Sequence, residues 1–371
     1  MSAVQLPAVR PSGWETVRLA RSLDRRLCGK APLALLLLFQ AGLLALLARD
    51  LLLDDSWLSL VGGREVWRHG IPTHDTLGVL TAARPWIDQQ WLGQLAFYGA
   101  AAAGGLALLF ALHLAVLSAA TGLAMGVALK RGASASSVFA IALLAIFIAP
   151  WSWQPRAQSL AELLFAAVLA LLLGDRAEQA RQRAVLVLML LVLWANVHGS
   201  VLLGVALALA CVAAGGRRQA KAQYLLLLSP LCLVITPYGL GTAHYYASLL
   251  GNSDLAALAP EWRAPHGTVA IAFFLLAAVA VVLVATRRRR LGAFELVVVV
   301  VTLGLSLTAV RHFPWFALAM SMLLPPLLPA PPARRPTAVG RWVTWGCVGA
   351  ATAITVGLLV QPDRWYEQKW P

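Results

Sequence analysis

Eleven apolar runs constrain what this chain can fold into. They lie at about 32–53, 105–129, 135–150, 158–173, 185–197, 199–214, 222–236, 267–286, 292–310, 313–330 and 341–360. A helix that crosses a bilayer straight needs ~20 predominantly apolar residues, and several of these runs reach that length. Of the 371 residues, 60% are hydrophobic and 12% charged, whereas a soluble domain carries about 25% charged residues. The strict alternation of a membrane barrel strand is missing. The expected fold is therefore all-α: a polytopic helical membrane protein with about 11 transmembrane helices. Some runs are short, and two pairs are split by polar turns, SWQPRAQ at 152–158 and ANVHGS at 195–200. Non-helical backbone at membrane depth survives only where protein or water satisfies it, so such turns fit a cavity.

The formal net charge is +14. In a soluble protein that would suggest nucleic acid, but here the charges sort by topology. With the N-terminus inside, each run crossing, and 91–104 taken as a surface or re-entrant helix, 21 of the 30 Lys and Arg fall on the inner side. The other nine are Arg49, Arg64, Arg68, Arg84, Arg156, Arg263, Arg311, Arg364 and Lys369. Lys and Arg collect in cytoplasmic loops, which sets the orientation. The same rule reads Arg287–Arg290 as a topology stop, and no nucleic-acid partner is expected. No cleavable signal peptide is evident before the first run. Residues 1–31 then form a basic cytoplasmic segment, 32–330 the membrane core, and 331–371 a last span with an external tail. The four cysteines are scattered and suggest neither a metal pair nor a disulfide framework.

This topology puts a long loop, 54–104, outside. Its polar stretch 54–91 holds Asp54, Asp55, Glu65, Asp75 and Asp88, together with Trp57, Trp67, Trp86 and Trp91. Joining two helices takes only a few residues, so a loop this long and polar reads as functional. The other unusual polar residues gather on the same side: Arg156 and Gln158; Asn196 and His198; Tyr238, His244, Tyr245, Glu261, Trp262 and His266; Arg311 and His312. With His69 and His74 of the long loop, six of the seven histidines lie on this side, all but His113. Singly, each has a bland explanation. Asp54 and Asp55 could mark a helix boundary, the tryptophans could anchor at the interface, Arg156 or Arg311 could snorkel, and His198, Glu162 or Glu295 could bridge helices. Acids, arginines and histidines converging on one end of a bundle make an active site or a substrate path. The inner loops hold little besides Lys, Arg and spacers, so no matching polar cavity is expected there. Phosphate-binding Gly loops, HExxH and GxSxG are absent.

The order of motifs resembles the GT-C superfamily of polytopic membrane glycosyltransferases, in a broad bacterial branch. The residues that carry the resemblance are Asp55, Trp57, Leu60, Gly63 and Arg64; Ile71, Pro72 and Asp75; Pro85 and Trp86; Trp91 and Leu92. Farther on come Arg156-Ala157-Gln158, Trp194 to Gly199, Pro237-Tyr238-Gly239, Glu261-Trp262 and Arg311-His312-Phe313-Pro314, so it spans about 32–325. Leu58, Ser59 and Ala157 depart from the pattern, which has Trp, His and Pro there.

The resemblance implies transfer of a sugar from a polyprenyl-phosphate carrier to a glycan, lipid or protein acceptor on the outer face of the bacterial cytoplasmic membrane. It implies a first-loop Asp as general base, Asp55 with Asp54 as substitute, and inversion at the anomeric centre. Substrate and phosphate binding would fall to Arg311, His312, Arg156, Gln158, His198, Asn196, Arg64, Asp75, Glu261 and Trp262. Arg suits this because it grips phosphate through paired hydrogen bonds. No residue is assigned to a metal; members of the superfamily differ in metal use, which leaves a divalent ion open. Two other classes compete: a transporter or flippase for a lipid-linked or anionic substrate, and a catalytically silent GT-C-like scaffold subunit.

Overall fold

The computed structural model describes residues 31–148, 153–174, 177–215, 221–250, 257, 259–329 and 338–366. The basic segment 1–30 and the end of the tail, 367–371, lie outside the described residues. The described regular structure is helical, apart from one isolated bridge between His74 and Pro85. The helices are α1 (Ala31–Leu47), α2 (Asp54–His69), α3 (Trp91–Lys130), α4 (Ala135–Ile146), α5 (Ala157–Leu172), α6 (Ala180–Val197), α7 (Val201–Ala214), α8 (Gly241–Leu250), α9 (Ile271–Arg287), α10 (Ala293–Thr308), α11 (Phe313–Leu323), α12 (Ala338–Leu359) and the short α13 (Asp363–Tyr366). Between α7 and α8, Lys221–Val234 winds as a 3-10 segment that contains Pro230.

Each of the eleven apolar runs contains helix. Five stretches are long and apolar enough, by length and composition, to cross a membrane: Ala31–Asp50, Trp91–Lys130, Ala180–Val197, Ile271–Arg290 and Val339–Leu359. Five other apolar helices have 10–17 residues, short of a straight crossing. The faces turned outward are apolar: Leu46 and Trp342 are each 79% exposed, Val300 69% and Met189 63%. Water would penalise so much exposed apolar surface, and a bilayer does not. The chain is a helical membrane protein.

Two apolar cores hold the bundle. One packs α1, the second half of α3 and α4 against Leu358 and Tyr366. The other packs α5, α6, α7, α9, α10 and α11, with Phe165, Trp194 and Trp315 in mutual ring contact at 5.4–6.3 Å. Helix α3 breaks at Gly104–Gly105, which leave helical geometry, so 91–103 and 106–130 are separate segments in one element. This matches the expected division between the segment 91–104 and the run that begins at 105. Asp363 Oδ1 accepts the Leu106 amide at 2.8 Å, so α13 caps the second segment from far along the chain.

Helix α2 lies in the long loop. It begins where Leu53 is extended, carries Asp54 and Asp55 in its first turn, and stops at Gly70, φ 84°. The paired acids suit the positive end of the helix dipole. Its buried face is small: Ser56, Ser59, Gly62, Gly63 and Val66. That face seats α2 on the start of α3. A Cβ on Gly63 would lie 2.3 Å from the Gln94 carbonyl oxygen, which is backbone and cannot swing away. We expect Gly63→Ala to push α2 off α3 at a cost of about 1–3 kcal/mol. Thermal unfolding in detergent would register this as a lower Tm; an unchanged Tm would mean that the contact is slack.

Candidate active site

Three helix ends meet at Gly93. A Cβ there would sit 2.7 Å from Ala157 Cβ and 3.1 Å from the Val197 carbonyl oxygen. The missing side chain therefore lets the start of α3, the start of α5 and the end of α6 converge. Arg156 precedes α5 in an extended conformation, φ −149°, and His198 ends α6 in another, φ −164°. The described residues 153–158 of the first polar turn and the ANVHGS turn are thereby brought side by side.

The loop is fastened down by its own polar groups. Gln89 Nε2 donates to the Ala195 carbonyl at 2.6 Å and to Tyr246 Oη at 3.0 Å. Tyr238 Oη donates to the Pro72 carbonyl at 2.9 Å and accepts the Asp88 amide at 3.1 Å. A cavity of about 470 Å³ results. Its lining includes Asp55, Ser59, Trp86, Asp88, Gln94, Arg156, Gln158, His198, His244, Tyr245 and Arg311, and its size is that of a ligand site.

A chain of charges runs along it. Asp55 Oδ2 pairs with Arg156 Nη1 at 2.6 Å, and the same nitrogen meets Glu261 Oε2 at 3.1 Å. The other Glu261 oxygen meets Arg311 Nη1 at 3.4 Å. The Arg311 guanidinium lies over the Trp262 ring, 3.9 Å from its centroid. Arg311 sits in the 3-10 turn between α10 and α11, and the Val310 amide donates to the Arg263 carbonyl at 3.0 Å, tying the Glu261–Trp262 turn alongside. Arg156 is almost wholly buried, whereas the Asp55 side chain is 47% exposed. The pair therefore joins the buried cation to an open carboxylate.

His198 contributes a neutral donor. Its Nδ1 accepts from the Ser200 amide at 3.1 Å and lies 2.8 Å from Ser200 Oγ, which itself accepts from Trp194 Nε1 at 3.1 Å. With Nδ1 accepting, the ring proton belongs on Nε2. Burial, with the charges of Arg311 and then Arg156, holds the imidazole pKa well below its ordinary value. The ring stays uncharged at neutral pH.

The expected site residues thus divide. Asp55, Arg156, Gln158, His198 and Arg311 line one cavity, with Glu261 and Trp262 held against its two arginines. Five others stand apart. Asp54 and Arg64 are exposed and do not line the cavity. Asp75 organises its own turn: its carboxylate accepts from the Leu77 and Gly78 amides at 2.9 and 2.8 Å and from the Thr81 hydroxyl. Those bonds, Thr81 first, lower its pKa. Asn196 donates to the Val192 and Ile235 carbonyls and accepts from Trp91 Nε1, so it staples the end of α6. His312 Nδ1 bonds the Leu305 carbonyl at 2.8 Å. Among the described residues, no three His, Cys, Asp or Glu side chains form a group able to hold a metal.

Asp88 was one of five acids in the loop with nothing to distinguish it by sequence. In the fold it is 6% exposed and lines the cavity. Burial pushes its carboxyl up to about 6, against the pull of the Gln90 amide. Folding therefore takes up a proton between the ordinary 3.8 and 6. Stability falls as pH rises through that window, and above it the ionised form costs ~3 kcal/mol. We expect Asp88→Asn to raise the Tm more at pH 7.5 than at pH 5, because only the ionised carboxylate carries the cost. A change in Tm that is the same at both pH values would contradict the shift.

A second polar cavity, about 500 Å³, is lined by Arg131, Arg290 and Glu295 among others. The charge count puts the two arginines on the inner side, where the sequence leads us to expect no polar cavity. Glu295 reads as part of an apolar run, and only the fold brings it to Arg131, at 2.6 Å.

No family model, curated protein or solved structure matches this chain.

Proposed function

We propose that this protein is a GT-C-like membrane glycosyltransferase. On this reading the bundle makes about eleven crossings of the bacterial cytoplasmic membrane, with the N-terminus inside and the cavity of Asp55 outside. The enzyme moves a sugar from a polyprenyl-phosphate donor to an acceptor hydroxyl. The observation that carries the reading is the shared lining of one cavity: the Asp55 carboxylate, the arginines Arg156 and Arg311, and the neutral His198 donor.

The chemistry follows from those groups. A leaving phosphate needs cations and hydrogen-bond donors where its charge develops. Arg156 and Arg311 provide the charge, and His198 Nε2–H adds a bond without a further charge. Asp55 and Glu261 pair with the two arginines. A donor phosphate competes for them, and Asp55 is then released to accept the acceptor's proton. Attack opposite the leaving phosphate inverts the anomeric centre. Membranes containing the protein, supplied with a radiolabelled polyprenyl-phosphate sugar, should transfer label to an acceptor. Retention of all label on the donor, across a panel of sugars and acceptors, would sink the reading.

A second reading is a transporter for an anionic or lipid-linked substrate. Its support is the Arg131–Arg290–Glu295 cavity, which shares no lining residue with the first. Substrate accumulation in vesicles without covalent change would favour it.

A further inference from the structure

A third cavity, of about 270 Å³, meets the site at the Trp86–Asp88 stretch: Leu58, Trp86, Asp88 and Gln94 line both. The two differ in charge. The site cavity is lined by Arg156, Arg311 and His198. The smaller one is lined by Glu65, Asp75 and Asp88, with no Lys, Arg or His. Phosphates and other anions are therefore welcome on one side of the shared wall and repelled on the other.

The wall has a particular chemistry. Trp86 is 50% exposed, so part of its indole is open to a ligand. Asp88 Oδ1 accepts the Gln90 amide and Gln94 Nε2, both at 3.1 Å. Oδ2 carries no hydrogen bond among the described residues. Oδ2 is not among the fully buried atoms that lack a partner, so it keeps an approach through which a ligand hydroxyl can donate to it. An aromatic face beside a hydrogen-bond acceptor fits a pyranose ring, whose C–H face is apolar and whose rim is hydroxyl.

We propose that this wall is a subsite for a neutral saccharide, which enters through the smaller cavity and serves as the acceptor. Its role as acceptor rests on the transferase reading; the saccharide site does not. In the transfer, the acceptor oxygen bonds to the anomeric carbon of the donor. The bond from that carbon to the phosphate oxygen breaks, its electron pair leaves with the phosphate, and the hydroxyl proton passes to Asp55. Trp86 and Asp88 are positioning residues here, holding the saccharide while its free hydroxyl reaches across the wall.

The test uses the purified full chain in nanodiscs, with binding followed by saturation-transfer NMR. The probes are neutral gluco-, galacto- and manno-configured disaccharides, with a uronic-acid disaccharide as the anionic control. At least one neutral probe should bind and the uronate should not. Trp86→Ala, at a half-exposed position, should weaken binding by about tenfold. Leu77→Trp, which fills the smaller cavity from the exposed loop, should weaken it as much. In the transfer assay, both variants should raise the acceptor KM and leave the donor KM unchanged. Binding of no neutral probe, preference for the uronate, or indifference to both substitutions would overturn the subsite. The two readings fail separately. Transfer to a lipid or protein without saccharide binding removes the subsite alone. Saccharide binding that obeys Trp86, with no donor consumed, supports the site and removes the transferase reading.

Discussion

Asp55→Asn should reduce sugar transfer by about 10²–10⁴-fold, the range for losing a positioned general base. Asn has the same shape but cannot accept a proton from the attacking hydroxyl. The fold should survive, because Arg156 keeps Glu261 at 3.1 Å and the Asp55 side chain is already 47% exposed. The donor KM should change little or fall, since the donor phosphate no longer competes with Asp55 for Arg156. Asp54→Asn, at an exposed position outside the cavity lining, should leave transfer within about twofold; this contrast between adjacent carboxylates controls for general loss of charge. Transfer that persists in Asp55→Asn would remove Asp55 from the base role.

Arg156→Gln should have a broader effect, on stability and donor affinity as well as turnover. Arg156 is buried and touches both Asp55 and Glu261. Removing it leaves Asp55 without its cation and Glu261 with Arg311 alone, and on the proposed reading it takes away a phosphate ligand. Breaking a buried pair costs about 3–5 kcal/mol, and the open side of Asp55 lowers that figure here. We expect a fall in Tm, a raised donor KM and transfer reduced by at least about 10²-fold, the scale for losing one transition-state donor. Unlike Asp55→Asn, this variant should lose donor affinity as well as turnover. The double variant should be less impaired than the product of the two effects, because the residues act through one contact. Strict multiplicativity, or an unchanged donor KM in Arg156→Gln, would count against Arg156 as the phosphate ligand.

Much of the architecture was legible from local pattern. Apolar runs become helices because a bilayer leaves the backbone few other ways to pair its polar groups. The break at Gly104–Gly105, the turns at 152–158 and 195–200, and the convergence of Arg156, His198 and Arg311 all followed from where polarity interrupts those runs. Distinguishing alike residues was harder. Asp75 and Asp88 belong to the same loop. One is tied up by its own turn, and the other is buried at a cavity wall. Asn196 and His198 sit two residues apart, yet one staples a helix end and the other lines the site. Spacing along the chain carries no information about which carbonyl or amide from a distant segment meets a side chain. His312 beside Arg311 illustrates the same limit, since its ring is claimed by Leu305.

By itself, the sequence determined an all-helical membrane chain, its polar interruptions and the residue types gathered around them, because hydrophobic length and polarity are local properties. The tertiary structure alone decided that Asp55 answers to Arg156, that Glu261 bridges two arginines, that Asp88 is buried, and that Glu295 meets Arg131 at a second cavity. Each of these depends on a close approach between distant segments, such as those at Gly63 and Gly93, where the absence of a side chain sets how near two backbones come.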